Sequence, residues 1–301
     1  MKRVSVGGNA RPRGRTWRTG FAAILLALAC SACARSGAGP SDVTASRAPA
    51  ADSITLALYH LDDLGGTTCA DSGPYRLNGT AGVDARTDFG RFGSTRTFIN
   101  SIESWIHVPA ARELDSRHLT VEAWIAPERL SLYEDATIAG RWSEFTNEQA
   151  WLFAIVGVRA DMRLEPVQSP GFHEPLVAGG TPGRLMFAFQ PAEPVPPVVF
   201  FSTTEILLQR WTHVAVTHDG SVVRFFINGR LDAQFASLTT IRPSQSPLLI
   251  GNYFDTRKLS NFSGDLKAGE RISHGPVYAF LGMIDELRIS SQARAEFDAG
   301  R

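Results

Sequence analysis

Apolar and polar residues alternate along Trp211–Phe235, WTHVAVTHDGSVVRFFINGRLDAQF. Two Asx-Gly pairs, Asp219-Gly220 and Asn228-Gly229, interrupt the alternation. Such a pair between apolar runs marks a tight hairpin, because the central turn residues need positive φ. The spacing predicts three strands, at 211–218, 221–227 and 230–236. Val214 and Val216 share a face, and Val223, Phe225 and Ile227 share another, the period of a sheet with one buried side. Shorter runs of the same kind predict strands at Ile54–Leu61, Thr97–Ile99, Trp105–Val108, Leu119–Ile125, Ala136–Ala139, Trp151–Gly157, Leu185–Gln190, Val198–Ser202, Leu248–Ile250 and Phe280–Ser290. Only Ala293–Phe297 reads as a short helix. Many short strands separated by Gly, Pro and Asx turns predict an all-β sandwich or barrel. Three segments exceed a hairpin loop and are where specific chemistry is expected: Arg159–Gly183, Pro191–Pro197 and Tyr253–Val277.

Composition changes this picture at the N-terminus. The 301 residues balance to zero net charge, but Lys2, Arg3, Arg11, Arg13, Arg15 and Arg18 all precede the apolar run Phe21–Ala29. Without residues 1–29 the chain keeps 24 basic against 30 acidic residues, a net charge of −6. That acidic body excludes a nucleic-acid footprint. Phe21–Ala29 is too short to span a bilayer as a helix but suits the apolar core of a signal peptide. Cys30 follows it directly, and the junction resembles the lipobox of bacterial lipoproteins. The resemblance implies a lipidated Cys30, with Cys33 as second candidate, and Ser31 after it points to the outer membrane. The alternative is a secretory peptide with incidental cysteines. Residues 30–53, rich in Ala, Ser, Gly and Pro, read as a flexible linker, and 54–301 as the folded domain. Three cysteines, Cys30, Cys33 and Cys69, imply no disulfide framework.

Five motifs then fall in one order. They are Leu58-Tyr59-His60-Leu61-Asp62-Asp63 with Asp71-Ser72-Gly73 and Asn78-Gly79-Thr80; Leu119–Ile125; Trp211–Gly229; Leu249-Ile250-Gly251; and Phe280–Ile289. Together they resemble the laminin-G-like jelly-roll domains of the concanavalin A-like superfamily over about residues 54–295. The resemblance implies an antiparallel two-sheet jelly-roll sandwich with Greek-key connections, of roughly twelve to fourteen strands. It also implies that the first strand lies beside the last. That would gather Asp62, Asp63 and Asp285, with a carbonyl from Asn78 or Gly79, around a structural calcium ion, which takes oxygen ligands. The competing reading is turn chemistry, with Asp62 capping a turn and Asp285 or Glu286 paired to Arg288.

Other candidates are weighed likewise. Trp105, Trp124, Trp142, Trp151 and Trp211 could stack on sugar rings; Trp124 and Trp211 read as core, while Trp142 and Trp151 stay open, Trp142 in a polar run that suits a rim. His60, His107, His213 and His218 read as strand residues without metal spacing. Trp142, Trp151, His173, Tyr253 and His274 form the candidate ligand-binding set. Cys69 reads as a buried small residue. The Asn78 sequon is explained by its turn. The E-x-D-x-x-E strand of related glycosidases is absent, since Glu113-Leu114-Asp115-Ser116-Arg117-His118 lacks the last acid. No catalytic residue is assigned. The expected function is a non-catalytic, lipid-anchored module in the bacterial cell envelope, or a secreted one, binding carbohydrate or a protein. The alternatives are an envelope adhesion component without small ligand and a divergent polysaccharide-active enzyme.

Overall fold

The computed structural model describes residues 48–299 except 102, 133–134, 144–147, 159–179 and 253–277. Cys30, Cys33, His173, Tyr253 and His274 lie outside the described residues, as does the expected signal and linker region up to residue 47. Sixteen strands are described: β1 Thr55–Tyr59, β2 Thr68–Cys69, β3 Gly79–Ala81, β4 Arg86–Phe89, β5 Ser94–Phe98, β6 Ile106–Val108, β7 Leu119–Pro127 and β8 Ala136–Ser143, followed by β9 Glu148–Ile155, β10 Arg184–Phe189, β11 Val198–Glu205, β12 Thr212–His218, β13 Val222–Ile227, β14 Arg230–Ala236, β15 Leu248–Ile250 and β16 Gly282–Ser290.

They form two eight-stranded sheets. The first runs β14-β13-β12-β7-β16-β5-β4, with β1 also on β16; the second runs β11-β10-β9-β8-β15-β6-β3-β2. Every described pairing is antiparallel, as the jelly-roll expectation requires. The meander around Asn228-Gly229 folds as read: Val216 faces Phe225 and Val214 faces Ile227 in register. Both sets thus point to one side, and Val214, Val216, Val223 and Phe225 sit in the core between the sheets. Asn228 and Gly229 take the positive φ the turn demands, 49° and 72°. Leu119, Val121, Ala123 and Ile125 of β7 meet Phe153, Ile155, Phe187 and Phe189 of the other sheet in the same core. At about 25 cal/mol per Å² of apolar area, this burial is the main stabilising term.

The sixteen strands exceed the twelve to fourteen expected, and the expected helix is missing. No helix is described at Ala293–Phe297; the segment is irregular, and Phe297 packs its ring on His213 and Phe226 of the first sheet. The hairpin β4–β5 was not foreseen, because its outer strand is polar and its turn, Gly90–Gly93, lacks an Asx-Gly pair.

Asp71 organises one end. Its carboxylate is buried and accepts the N–H groups of Leu58, Gly73 and Leu77 at 2.8, 2.7 and 2.8 Å. Asn78 Oδ1 accepts the N–H of Asp71 in turn. One charged acceptor therefore satisfies three donors that no strand ladder reaches. Replacing Asp71 by Ala is expected to cost on the order of 3 kcal/mol in urea unfolding, since buried donors lose their acceptor. A loss well under about 1 kcal/mol would show that water reaches all three.

Candidate functional site

The end of the first sheet where β1, β5 and β16 meet gathers His60, Asp62, Asp285 and Glu286. β1 pairs with β16, so the first strand does lie beside the last. The β16 register slips between Asp285 and Arg288, and Glu286 takes φ 52°. This bulge turns two consecutive carboxylates inward from solvent, where regular alternation would expose one. Asp285 and Glu286 are 0% and 1% exposed.

Asp285 Oδ2 accepts the N–H groups of Arg91 and Phe92 at 2.7 and 3.1 Å. Asp62 Oδ1 accepts the N–H of Ser94 at 2.6 Å. Both carboxylates thus grip the β4–β5 turn. The turn is glycine-bounded for a reason: Gly93 has φ 83°, and a Cβ there would collide with Asp62 Oδ1. Glu286 Oε2 meets His60 Nδ1 at 2.6 Å. Asp285 Oδ1 and Glu286 Oε1 are buried without a hydrogen-bond partner.

The electrostatics follow from this crowding. Burial pushes the Asp285 carboxyl up from 3.8 to about 7, and the Glu286 and Asp62 charges add to the rise against the two amide bonds. Burial also raises Glu286, opposed by His60. The Glu286 hydrogen bond raises His60, against its own partial burial.

The sequence-predicted ligands separate. Asp62 and Asp285 share the turn. Asp63 Oδ2 instead accepts the N–H of Ala70, and Asn78 Oδ1 that of Asp71. Gly79 pairs with Cys69 inside the second sheet. The surface ion pair with Arg288 does not form either: Arg288 Nε binds Glu122 at 2.7 Å, since both point out from neighbouring strands. Among the described residues, no three His, Cys, Asp or Glu side chains are placed to hold a metal ion between them. A hard cation still suits the chemistry of this end, where two buried carboxylate oxygens lack partners. It would take side-chain oxygen from Asp285 and one neighbour, the rest from main chain or water.

The tryptophans are a clear correction. Trp142 and Trp151 are 1% and 2% exposed and offer no open stacking face. Trp151 packs between the sheets. Trp142 belongs to a second apolar cluster with Leu152, Met186, Leu249 and Tyr278. Its polar neighbour Arg141 misled the reading: Arg141 is itself buried, bound to Asp115 and to the carbonyls of Ser244 and Ser246. Asp115, of the incomplete glycosidase pattern, is thereby committed to an ion pair. Trp124 is buried but outside the inter-sheet core; Arg91 lies 4.8 Å over its ring, and Phe92 and His213 meet its edges. Glu122 next to it is raised by burial but lowered on balance by His213 and Arg288. Cys69 is buried, and burial pushes its thiol up to about 11. His213 is held by Glu122, whereas His218 is buried against Phe189, and burial lowers its pKa against the backbone of Arg117 and Thr239.

The comparisons with known proteins accord with this architecture. A family model described as the concanavalin A-like lectin/glucanases superfamily matches residues 100–269. That is more than half of the chain, and the chain belongs to this superfamily. The match begins after β5 and ends before β16, so the acidic end lies outside it. Domain 4 of AbnA, an extracellular arabinanase from Geobacillus stearothermophilus solved with arabinotriose, is similar at TM-score 0.52 and 17% identity, over 82% of this chain and 98% of that one. The binding domain of Paraclostridial mosquitocidal protein 1 gives 0.52 and 14%, over 80% and 49%. The receptor-binding domain of botulinum neurotoxin type G gives 0.51 and 15%, over 82% and 50%. This chain spans about half the length of the latter two. At these identities the likeness is one of fold. No curated protein matches the sequence.

The folded-state pKa of Asp285 lies above its unfolded value, so the native state holds the proton more tightly. The resulting penalty is absent below about pH 4, grows as pH rises towards 7, and is constant above. With chelator present, the melting temperature of the native sequence should therefore fall between pH 4 and 8 relative to Asp285→Asn, by the equivalent of a few kcal/mol. Parallel melting curves for the two proteins would refute the buried, cation-free carboxyl.

Proposed function

We propose that this chain is a non-catalytic binding module of the bacterial cell envelope, anchored through a lipidated Cys30 and presenting its sandwich to a carbohydrate. The observation that carries the reading is a lectin/glucanase sandwich whose acidic end is built to be rigid. Its carboxylates are spent on holding backbone: Asp285 on Arg91 and Phe92, Asp62 on Ser94. Glu122 is likewise engaged by His213 and Arg288. Such groups position a surface, and Asp285, Glu286 and Glu122 are buried out of a substrate's reach, which supports binding over hydrolysis. The arabinotriose bound to the AbnA domain supports carbohydrate as the ligand class.

A structural calcium ion at Asp285, with the Glu286 carboxylate beside it, belongs to this reading. It would neutralise the crowded carboxylates and lock the β4–β5 turn. The module is tested by binding to immobilised glycans, where the proposal expects retention of at least one class without turnover. Hydrolysis abolished by one acid substitution would replace it with an enzyme. Calcium should raise the melting temperature of the native sequence and leave Asp285→Ala unmoved; no response to calcium or chelator in the native sequence removes the ion. In cells, Cys30→Ala should shift the protein from the membrane fraction to the soluble one, and retention on membranes would assign the anchor to Cys33 or to none.

A further inference from the structure

Phe89 and Leu64 have no place in the packing of either sheet. They are 89% and 84% exposed, two of the three most exposed large apolar side chains among the described residues. Isolated exposed apolar residues are ordinary. Chain and ladder tie both to one carboxylate, that of Asp62, which Leu64 follows by two residues. Phe89 pairs in register with Ser94, whose N–H donates to Asp62 Oδ1. Thr87 Oγ1 donates to the carbonyl of Asp63, laying the segment that carries Leu64 along β4. Gly65 and Gly66 follow at φ 79° and 74°, and a side chain at either would meet nothing within 4 Å. The surface beside Leu64 is therefore open.

We propose that Phe89 and Leu64 are the apolar face of a sugar-binding site, with the Asp62 carboxylate accepting hydrogen bonds from the hydroxyl groups of a neutral glycan residue. An aromatic ring covers the C–H face of a sugar ring, and a fixed acceptor beside it reads the hydroxyl pattern. Asp62 is exposed, and with Oδ1 held by Ser94 its other oxygen is free for such a bond. Beneath the turn, Asp285 Oδ1 and Glu286 Oε1 are fully buried without partners. Edge strands commonly carry charge to block pairing with another chain. An aromatic residue at the end of β4 departs from that practice and gives up this protection.

The charge on this surface selects the sugar. Asp88 precedes Phe89 in β4 and Asp62 holds its ladder partner Ser94, while the Arg91 guanidinium is drawn onto Trp124 and Phe92. Uronic acids and sialic acids would be repelled, as would an anionic bilayer, and neutral pentoses or hexoses would not. This inference rests on the carbohydrate-module reading and gives it a location and a ligand class.

The test uses the intact chain on an array of neutral arabino-, gluco- and galacto-oligosaccharides beside uronic-acid oligosaccharides, with calorimetry on the tightest binder. Phe89→Ala should weaken binding about tenfold or more, the scale of one lost aromatic contact. Phe89→Tyr should retain it, and Leu238→Ala, an equally exposed change elsewhere, should leave it unaltered. Both positions are exposed, so the fold should survive, and unfolding curves check this. Glycan binding that ignores Phe89→Ala would overturn the site while leaving the module intact. Retention of uronic-acid glycans alone would overturn the ligand class. A blank array for the native sequence, or capture by a protein partner in its place, would overturn the carbohydrate reading and this site with it.

Discussion

Parity along the strands is the constraint on which this structure rests. Each strand must keep its apolar side chains on the face that looks at the opposite sheet, and a slip of one residue would send them all to water. β7, β12 and β13 obey it without interruption, and their Val, Ile and Phe residues form one continuous interior with β9 and β10. Where parity breaks in β16, buried acidic groups appear. The bulge in β16 lets Asp285 and Glu286 follow one another into a buried place, one residue after Ile284 has filled the core. Apolar packing thus supplies a rigid support, and the local defect buries two neighbouring carboxylates.

The acidic end shows how a fold spends charge on positioning. Two carboxylates far apart in the chain hold this turn and its base, and a third is hydrogen-bonded to His60. Each bond is made to a backbone N–H or a ring nitrogen, so the turn is fixed even though its sequence is mostly glycine and arginine. Loops without regular pairing are ordinarily the mobile part of a sandwich. Here the turn is tied down from beneath, and the order it gains extends to Phe89 and Ser94 at its base.

Much of this could be read from the residues. The Asx-Gly turns and the valine alternation located β12–β14 within a residue of their ends, because turn chemistry and burial act locally there. The first-to-last strand pairing correctly brought Asp62 near Asp285. What escaped depended on partners distant in sequence. Trp142 looked like a rim residue beside Arg141 and Ser143, since nothing local reveals that Asp115 and two carbonyls near residue 245 would bury the arginine. Asp63 and Asp62 are neighbours with different duties, one turned to Ala70 and one to Ser94. Glu286 at positive φ has no signature, because glutamate rarely adopts that conformation and tertiary packing imposes it.

The position of β16 has a consequence for how the chain acquires its shape. This late strand sits in the middle of its sheet, hydrogen-bonded to β1, β5 and β7 at once, and Ser291 reaches back to Ile54 across 237 residues. As the polypeptide emerges from the ribosome, the sheet holding β1 must wait with open edges until β16 has been made. Contacts of such long range close slowly, and unpaired edges invite aggregation meanwhile. The architecture therefore favours a chain kept extended during synthesis and released to fold in one late, concerted step.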